Sequence, residues 1–296
     1  MTQSFELRPL MPFGAEVVGL SLDAPISDEM RAALNRAWVE NVVLCIRGQD
    51  VGPAEFLELA HIFGTPVQQP IQRKEYQVDG FPELRVLSSR HLDTQGDNRP
   101  LQIGGSWHTD HSHLPEPPWG TMLHALHLPS RGGATSFTNQ TAAYEGLSPS
   151  LKSRVDGLVG HHVYLSKYSK RRLQTMTPEE QARAPSARHP LVRTHAVTGK
   201  QALYFNPVRI EQFDGISEAQ SQALLAELIA HCEQDAFVYR HEWCSSDVVI
   251  WDNRQALHMV KHDYPHEELR LMHRTLVGSD ALAKSMQAAN AGKIAR

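Results

Sequence analysis

The run DVVIWDNRQALH at residues 247–258 carries the clearest indication of architecture. Its first part, 247–251, has the β-branched and aromatic composition of a buried strand. The polar residues after it end that strand and lead to His258, a candidate metal ligand. Further candidate strands lie on either side, at 121–127, 134–138, 159–164, 191–195, 201–205, 236–243 and 269–277. Turn-forming residues separate them, which predicts a sandwich or a barrel.

Helices accompany these strands. Ser27 is a suitable N-cap for a helix over 28–40, and Pro53 suits the first turn of a second helix. Capping sequences at 177–180 and 217–220 predict two more helices. The expected fold class is therefore α+β, mainly β, with a jelly-roll-like barrel and flanking helices.

Composition excludes several classes of protein. The 296 residues include 29 Lys and Arg against 33 Asp and Glu, a net charge of −4, so a strongly basic nucleic-acid binder is excluded. No apolar run approaches the roughly 20 residues of a membrane span, and the first residues lack signal-peptide features. The three cysteines have no CxxC spacing, which favours free thiols and a cytoplasmic location. Phosphate-binding glycine motifs are absent as well.

The segment WHTD at 107–110 is the first that carries chemistry. On an extended strand His108 and Asp110 face the same way, with Cα atoms about 6–7 Å apart, so they can chelate one metal ion. His258 is the best candidate for a third ligand. Two histidines and one carboxylate leave coordination positions open, as in non-haem Fe(II) oxygenases. The HxD pattern alone is a weak signal, and zinc can use the same residues with water as a fourth ligand.

The segment LRLMHRT at 269–275 is the second one with candidate functional residues. In a strand, Arg270 and Arg274 point to one face, about 13 Å apart. Two arginines inside a barrel require anionic partners, and the guanidinium group binds carboxylate or sulfonate through two hydrogen bonds. This placement, shortly after the last candidate ligand, indicates a dicarboxylate cosubstrate that pairs with Arg270. Strand patterning alone equally allows both arginines to face solvent.

Six motifs together carry a specific resemblance. They are WHTD at 107–110, GGAT at 132–135, AAYEGLS at 142–148, HPLVRTHAVTGKQALYFN at 189–206, WDNRQALH at 251–258 and RLMHRT at 270–275. These segments resemble the taurine dioxygenase/2,4-D dioxygenase family of Fe(II)- and 2-oxoglutarate-dependent oxygenases. With a weaker match from residue 5 onward, the resemblance covers nearly the whole chain. It implies one domain over 1–296 with the double-stranded β-helix (jelly-roll) fold, in a dimer or tetramer.

The resemblance also implies roles for the matching residues. His108, Asp110 and His258 would hold Fe(II). Thr135 and Arg270 would bind the distal carboxylate of 2-oxoglutarate, and O₂ would be the second cosubstrate. No further catalytic residue is implied beyond this metal centre.

The substrate side of the site departs from taurine dioxygenase. Arg274 matches the arginine that grips the anionic group of the substrate in the taurine and 2,4-D enzymes. The other candidate substrate-binding residues differ from those of the taurine enzyme; they are Gln69, His111, His113, Tyr164 and Tyr204. Taurine is therefore not the expected substrate, and a small organic carboxylate or sulfonate is expected instead.

The expected reaction is hydroxylation of this anion, with succinate and CO₂ formed from 2-oxoglutarate. If the hydroxylated carbon carries oxygen or sulfur, cleavage of that bond follows. Two other classes stay open: a zinc-dependent hydrolase or lyase, and a non-catalytic binding protein on the same fold. The polar segment 165–188 is predicted to be a mobile lid.

Overall fold

The computed structural model describes residues 4–21, 26–69, 76–92, 104–164, 166–169 and 185–294. The helices are α1 (Asp28–Asn41), α2 (Pro53–Ala60), α3 (Gln140–Glu145), α4 (Pro149–Val155), α5 (Glu218–Cys232) and α6 (Asp280–Ile294). The first strands are β1 (Glu6–Pro9), β2 (Ala15–Val18), β3 (Val43–Ile46), β4 (Thr65–Pro66), β5 (Gln77–Val78), β6 (Phe81–Ser88), β7 (Gly120–His127), β8 (Thr135–Asn139) and β9 (Val159–Val163). The later ones are β10 (Ser186–Pro190), β11 (Val192–Thr194), β12 (Gln201–Leu203), β13 (Ile210–Phe213), β14 (Val238–His241), β15 (Val248–Asp252), β16 (Ala256–Val260) and β17 (Leu271–Gly278).

The largest sheet has the strand order β1-β2-β3-β15-β7-β17-β6-β5, with β4 paired to β17. The strand predicted at 247–251 is β15, and it pairs with β3 on one side and β7 on the other. All five of its residues are buried, as expected for a central strand. A second sheet has the order β14-β8-β16, and two small sheets are β10-β9-β13 and β11-β12.

The two main sheets face each other. One apolar cluster combines Leu123 and Trp251 of the large sheet with Phe137 and Tyr239 of the second sheet. The rings of Phe137 and Trp251 lie 5.2 Å apart between centroids. Apart from the parallel β2–β3 pair, the strands of both sheets are antiparallel. Two such sheets that share a core form the expected jelly roll, so the predicted fold class is confirmed.

Helices cover the sheets from outside, as predicted. Leu34 and Trp38 of α1 and Phe56 of α2 share a core with Ile250 of β15. The predicted caps form: the side chain of Ser27 accepts a hydrogen bond from the Met30 backbone, and a capping box begins α5. No helix in the described parts of the chain has both the length and the apolar character needed to cross a membrane.

Some predicted boundaries were wrong. The strands predicted at 191–195 and 201–205 are shorter, because a turn closed by the hydrogen bond from the His195 backbone to the Lys200 carbonyl separates β11 from β12. The strand predicted at 236–243 is β14 alone, since a 3-10 turn occupies 235–237. The helix predicted at 177–180 and most of the lid predicted at 165–188 lie outside the described residues.

Candidate active site

Three of the predicted residues meet at one end of the jelly roll. His108 and His258 exchange backbone hydrogen bonds of 3.1 and 2.8 Å, and their rings lie 4.1 Å apart between centroids. The strand predicted for this segment is not formed: His108 makes an isolated bridge with His258, and Asp110 lies in the turn that follows. Its Oδ1 lies 4.0 Å from Nε2 of His108, and its Oδ2 lies 3.9 Å from Nε2 of His258. The structure therefore brings together the three predicted metal ligands.

The protonation states of these side chains suit a divalent metal. The Nδ1 of His108 lies 2.8 Å from the Ser106 carbonyl and donates to it, so Nε2 keeps its lone pair. Burial lowers the pKa of both imidazoles, which are therefore neutral at pH 7. Burial alone would raise the pKa of Asp110, but the Arg274 guanidinium and the two imidazoles outweigh it and lower that pKa. Two neutral nitrogens and one carboxylate fit Fe(II) and leave positions open.

A cavity of about 680 Å³, its open mouth included, adjoins these ligands. Thr135, Arg270 and Arg274 contribute polar groups to its wall, so both predicted arginines face inward. Leu123 and Val260 contribute apolar surface. A largely apolar cavity with a few convergent polar groups is the usual form of a small-molecule site.

One part of the cavity is built for a carboxylate. Arg270 is buried just before β17, and its Nε donates to the Gly133 carbonyl at 3.3 Å. Burial lowers its pKa to about 10, so it stays charged at pH 7, yet no carboxylate of the described residues pairs with it. The Thr135 hydroxyl oxygen accepts a hydrogen bond of 3.0 Å from Nε1 of Trp243, which leaves its own proton to donate. A buried cation beside a free hydroxyl donor calls for an anionic ligand.

Gly133 allows this arrangement, which gives a first prediction. Its φ is +74°, and a Cβ added there would lie 3.1 Å from Nε of Arg270. We expect Gly133→Ala to displace that guanidinium and raise the KM for 2-oxoglutarate about tenfold, with metal affinity unchanged. Gly199→Ala is the matched control, because Gly199 has a φ of +70° and open space around it. Equal KM values in the two variants would contradict the prediction.

Arg274 lies at the metal side of the cavity. Its Nη1 is 3.8 Å from Oδ1 of Asp110, and its Nη2 donates to the side-chain oxygen of Gln69. Gln69 also accepts a 3.0 Å hydrogen bond at its backbone carbonyl from Arg85, which faces Arg274 across the β6–β17 pair. Gln69 is buried and does not line the cavity, so its observed contact is to Arg274.

The other predicted substrate residues lie beside the cavity, outside its lining. The ring of His113 packs between those of His111 and Tyr164, at 5.5 and 4.7 Å between centroids. Tyr204 is buried against His162, with the Arg193 guanidinium over its ring. A role for these residues in substrate binding stays a prediction.

Two polar residues near the site were not predicted from the sequence. Thr121, at the start of β7, donates a 2.7 Å hydrogen bond to Oδ2 of Asp110. Trp243 orients Thr135, as described above. Thr121 could have been noticed as a lone hydroxyl in the apolar strand predicted at 121–127. No feature of the sequence pointed to Trp243.

A second group of potential metal ligands comprises Cys45, His241 and Asp247, all buried. Asp247 already pairs with Arg47, and Nε2 of His241 lies 3.3 Å from the same carboxylate. Nδ1 of His241 accepts a hydrogen bond from the Tyr239 hydroxyl at 2.9 Å. Because Asp247 pairs with Arg47 and lies next to His241, we assign these groups to a structural ion-pair network.

The jelly roll, the two histidines with a carboxylate, and the buried anion pocket together define a class, the mononuclear non-haem metal oxygenases. Residues 6–276 match the family described as "Taurine catabolism dioxygenase TauD, TfdA family", and the chain belongs to it.

Individual relatives agree with this assignment. The chain is 33% identical to the alpha-ketoglutarate-dependent 2,4-dichlorophenoxyacetate dioxygenase of Cupriavidus pinatubonensis, over 85% of this chain and 89% of the relative. It is 28% identical to the (S)-phenoxypropionate/alpha-ketoglutarate-dioxygenase of Sphingobium herbicidovorans, over 96% of this chain and 99% of the relative. The crystal structure of AAD-2 in complex with Mn(II) and N-oxalylglycine superposes on this structure with a TM-score of 0.78 at 27% identity. The match covers 93% of this chain and 98% of AAD-2.

The expectations about class are therefore confirmed. The protein is an oxidoreductase, a dioxygenase that depends on 2-oxoglutarate (alpha-ketoglutarate), Fe(II) and O₂. A zinc hydrolase and a non-catalytic binding protein, the two alternatives left open by the sequence, are not favoured.

Proposed function

We propose that this enzyme hydroxylates a small organic anion, a carboxylate or a sulfonate, whose charged group binds Arg274. The main support for this proposal is the charge of the cavity wall. Two guanidinium groups, at Arg270 and Arg274, line the cavity with a single carboxylate, Asp110. A divalent cation bound to Asp110 would neutralise that carboxylate, so the positive charge of the two guanidinium groups would favour anionic ligands in the cavity. The cosubstrate supplies one anionic group and the primary substrate supplies the other.

Each polar residue of the cavity has a defined task in this proposal. His108, Asp110 and His258 hold Fe(II), which supplies the oxygen activation that side chains cannot. Arg270 and Thr135 bind the distal carboxylate of 2-oxoglutarate and so direct its other end toward the metal ligands.

Arg274 positions the primary substrate beside the ligands. Because Gln69 holds the Arg274 side chain in place, little conformational entropy is lost when an anion binds. The apolar wall at Leu123 and Val260 excludes water from the reacting carbon. Cleavage of a C–O or C–S bond follows when the hydroxylated carbon carries that heteroatom.

The names of the relatives support an anionic substrate, since both 2,4-dichlorophenoxyacetate and phenoxypropionate are carboxylates. The proposal further places the enzyme in the cytoplasm, as a dimer or tetramer of single domains spanning 1–296. We propose no nucleic-acid or membrane partner for the enzyme, in keeping with its net charge of −4.

An anaerobic titration of the apo-protein with Fe(II) and 2-oxoglutarate tests the proposal. We expect a visible metal-to-ligand charge-transfer band, which shifts when a substrate from a panel of carboxylates, sulfonates and sulfate esters is added. Compounds that shift the band are then assayed for turnover by succinate release.

The Arg274→Gln variant identifies the anion site. It should form the band normally, but the anions should shift it only at concentrations about tenfold higher or more, because a charge-assisted hydrogen bond is lost. Arg188→Gln is the matched control, since that exposed guanidinium pairs with Asp214 far from the cavity lining. Iron binding without a band would argue for a non-oxygenase function, and an unchanged response of Arg274→Gln would move the substrate anion elsewhere.

A further inference from the structure

Three hydrogen bonds form a chain that ends at the metal-binding carboxylate. Nε1 of Trp251 donates to Oδ1 of Asn253 at 3.0 Å. Nδ2 of Asn253 donates to the Thr121 hydroxyl oxygen at 2.9 Å. The Thr121 hydroxyl donates to Oδ2 of Asp110 at 2.7 Å. All four side chains are buried, so water does not compete for these bonds.

The direction of this chain follows from its first donor. An indole N–H can only donate, so it fixes the oxygen of the Asn253 amide toward Trp251 and the NH₂ group toward Thr121. A hydroxyl carries a single proton, and here its oxygen already accepts from Asn253. The proton of Thr121 therefore points at Asp110. We call Trp251, Asn253 and Thr121 the orienting chain.

The orienting chain distinguishes the two oxygens of Asp110. Oδ2 accepts the hydrogen bond from Thr121, whereas Oδ1 accepts none from the residues that the structure describes. Oδ1 also faces Nε2 of His108 and the Arg274 guanidinium, at 4.0 and 3.8 Å. The hydrogen bond from Thr121 thus fixes the rotation of the carboxylate, with Oδ1 toward His108 and Oδ2 toward Nε2 of His258 at 3.9 Å.

The same chain ties the ligand segment to the sheet. The backbone carbonyl of Asn253 accepts a 2.9 Å hydrogen bond from the Thr109 hydroxyl, next to Asp110. The ring of Trp251 lies 4.6 Å from that of His258, between centroids. The orienting chain therefore begins beside one ligand and ends on another.

We propose that Thr121 and Asn253 are positioning residues, which fix the rotation of the Asp110 carboxylate so that it faces the Nε2 atoms of His108 and His258. This inference rests on the proposed metal centre and adds the device that orients its single anionic ligand. Partners of metal ligands in other enzymes contribute about 10- to 100-fold to metal affinity. Neither residue is itself part of the cavity lining, so neither is placed to touch the substrate.

The test measures the affinity of the apo-protein for Mn(II) alone, from the electron paramagnetic resonance signal of the free ion. We expect Thr121→Val, which keeps the shape and removes the hydroxyl, to weaken binding about 10- to 100-fold. Thr121→Ser keeps the hydroxyl and should stay within about threefold of the wild type. Thr141→Val is the control for a lost buried hydroxyl, because Thr141 donates to Gln255 at 3.0 Å instead of to a ligand.

A second variant tests the direction of the chain. Asn253→Asp replaces the NH₂ donor with an acceptor that competes for the Thr121 proton, so Mn(II) affinity should fall although Thr121 is unchanged. In the Thr121→Val background the same substitution should add less than about threefold, because the two act through one bond. If circular dichroism shows that Thr121→Val does not fold, the Mn(II) affinity of Asn253→Asp alone tests the positioning role.

The outcomes separate this inference from the proposed function. If the wild type binds no Mn(II), the metal centre itself fails. If the wild type binds Mn(II), and Thr121→Val and Asn253→Asp bind it as tightly as Thr141→Val does, only the positioning role is wrong. Additive losses in the double variant would show independent structural effects and would also overturn the proposal.

Discussion

Asp110→Ala is expected to weaken metal binding strongly and to abolish turnover while the protein still folds. The substitution removes the only carboxylate among the three ligands and leaves the Arg274 guanidinium without its 3.8 Å partner. Loss of one member of a buried charge cluster costs about 3–5 kcal/mol, so Mn(II) affinity should fall roughly a thousandfold. Calorimetric titration measures the affinity, and succinate release measures turnover.

Asp214→Ala is the matched control for this substitution. Asp214 is an exposed carboxylate that pairs with Arg188, so its loss should change neither metal affinity nor turnover. Asp110→Asn separates charge from shape, because an amide keeps the size of the carboxylate without its negative charge. Turnover close to that of the wild type in Asp110→Ala would remove Asp110 from the ligand set.

Arg270→Gln should raise the KM for 2-oxoglutarate about 100-fold and leave Mn(II) affinity unchanged. The buried guanidinium has no carboxylate partner among the described residues, so its charge is free to bind the distal carboxylate of the cosubstrate. Truncating one partner of a buried, hydrogen-bonded charge pair costs 2–5 kcal/mol or more, and about 2.7 kcal/mol corresponds to 100-fold. The measurement is succinate formation as a function of 2-oxoglutarate concentration.

Two variants define the specificity of that effect. Arg270→Lys keeps the charge but loses the planar pair of donors, so its KM should fall between those of the wild type and Arg270→Gln. Arg188→Gln removes an exposed arginine and should leave the KM unchanged. An unaltered KM in Arg270→Gln would mean that the cosubstrate carboxylate binds elsewhere.

The sequence predicted best what depends on local geometry. The two-residue spacing keeps His108 and Asp110 close together, although the segment is an isolated bridge followed by a turn and not the strand that was predicted. The apolar run that became β15 had to be buried, and it leads directly to His258. The inward direction of Arg270 and Arg274 was left undecided by patterning, because exposure depends on what packs over a strand.

Contacts between distant segments could not be predicted in this way. Gln69 and Arg274 are 205 positions apart, and they meet because β4, which ends three residues before Gln69, pairs with β17. The bond from Asn253 to Thr121 spans 132 positions and links β7 to the turn after β15. No local pattern encodes either pairing, since each requires the register between strands.

The backbone hydrogen bonds between His108 and His258 have a consequence for the order of folding and metal loading. The two ligands are about 150 positions apart, so an unfolded chain brings them together only at a loop-closure cost of about 4 kcal/mol. The unfolded chain therefore binds the metal far more weakly than the native fold does. If these residues hold the metal, we expect it to be loaded after the chain has folded, and at 100 times the dissociation constant to stabilise the native state by about 2.7 kcal/mol.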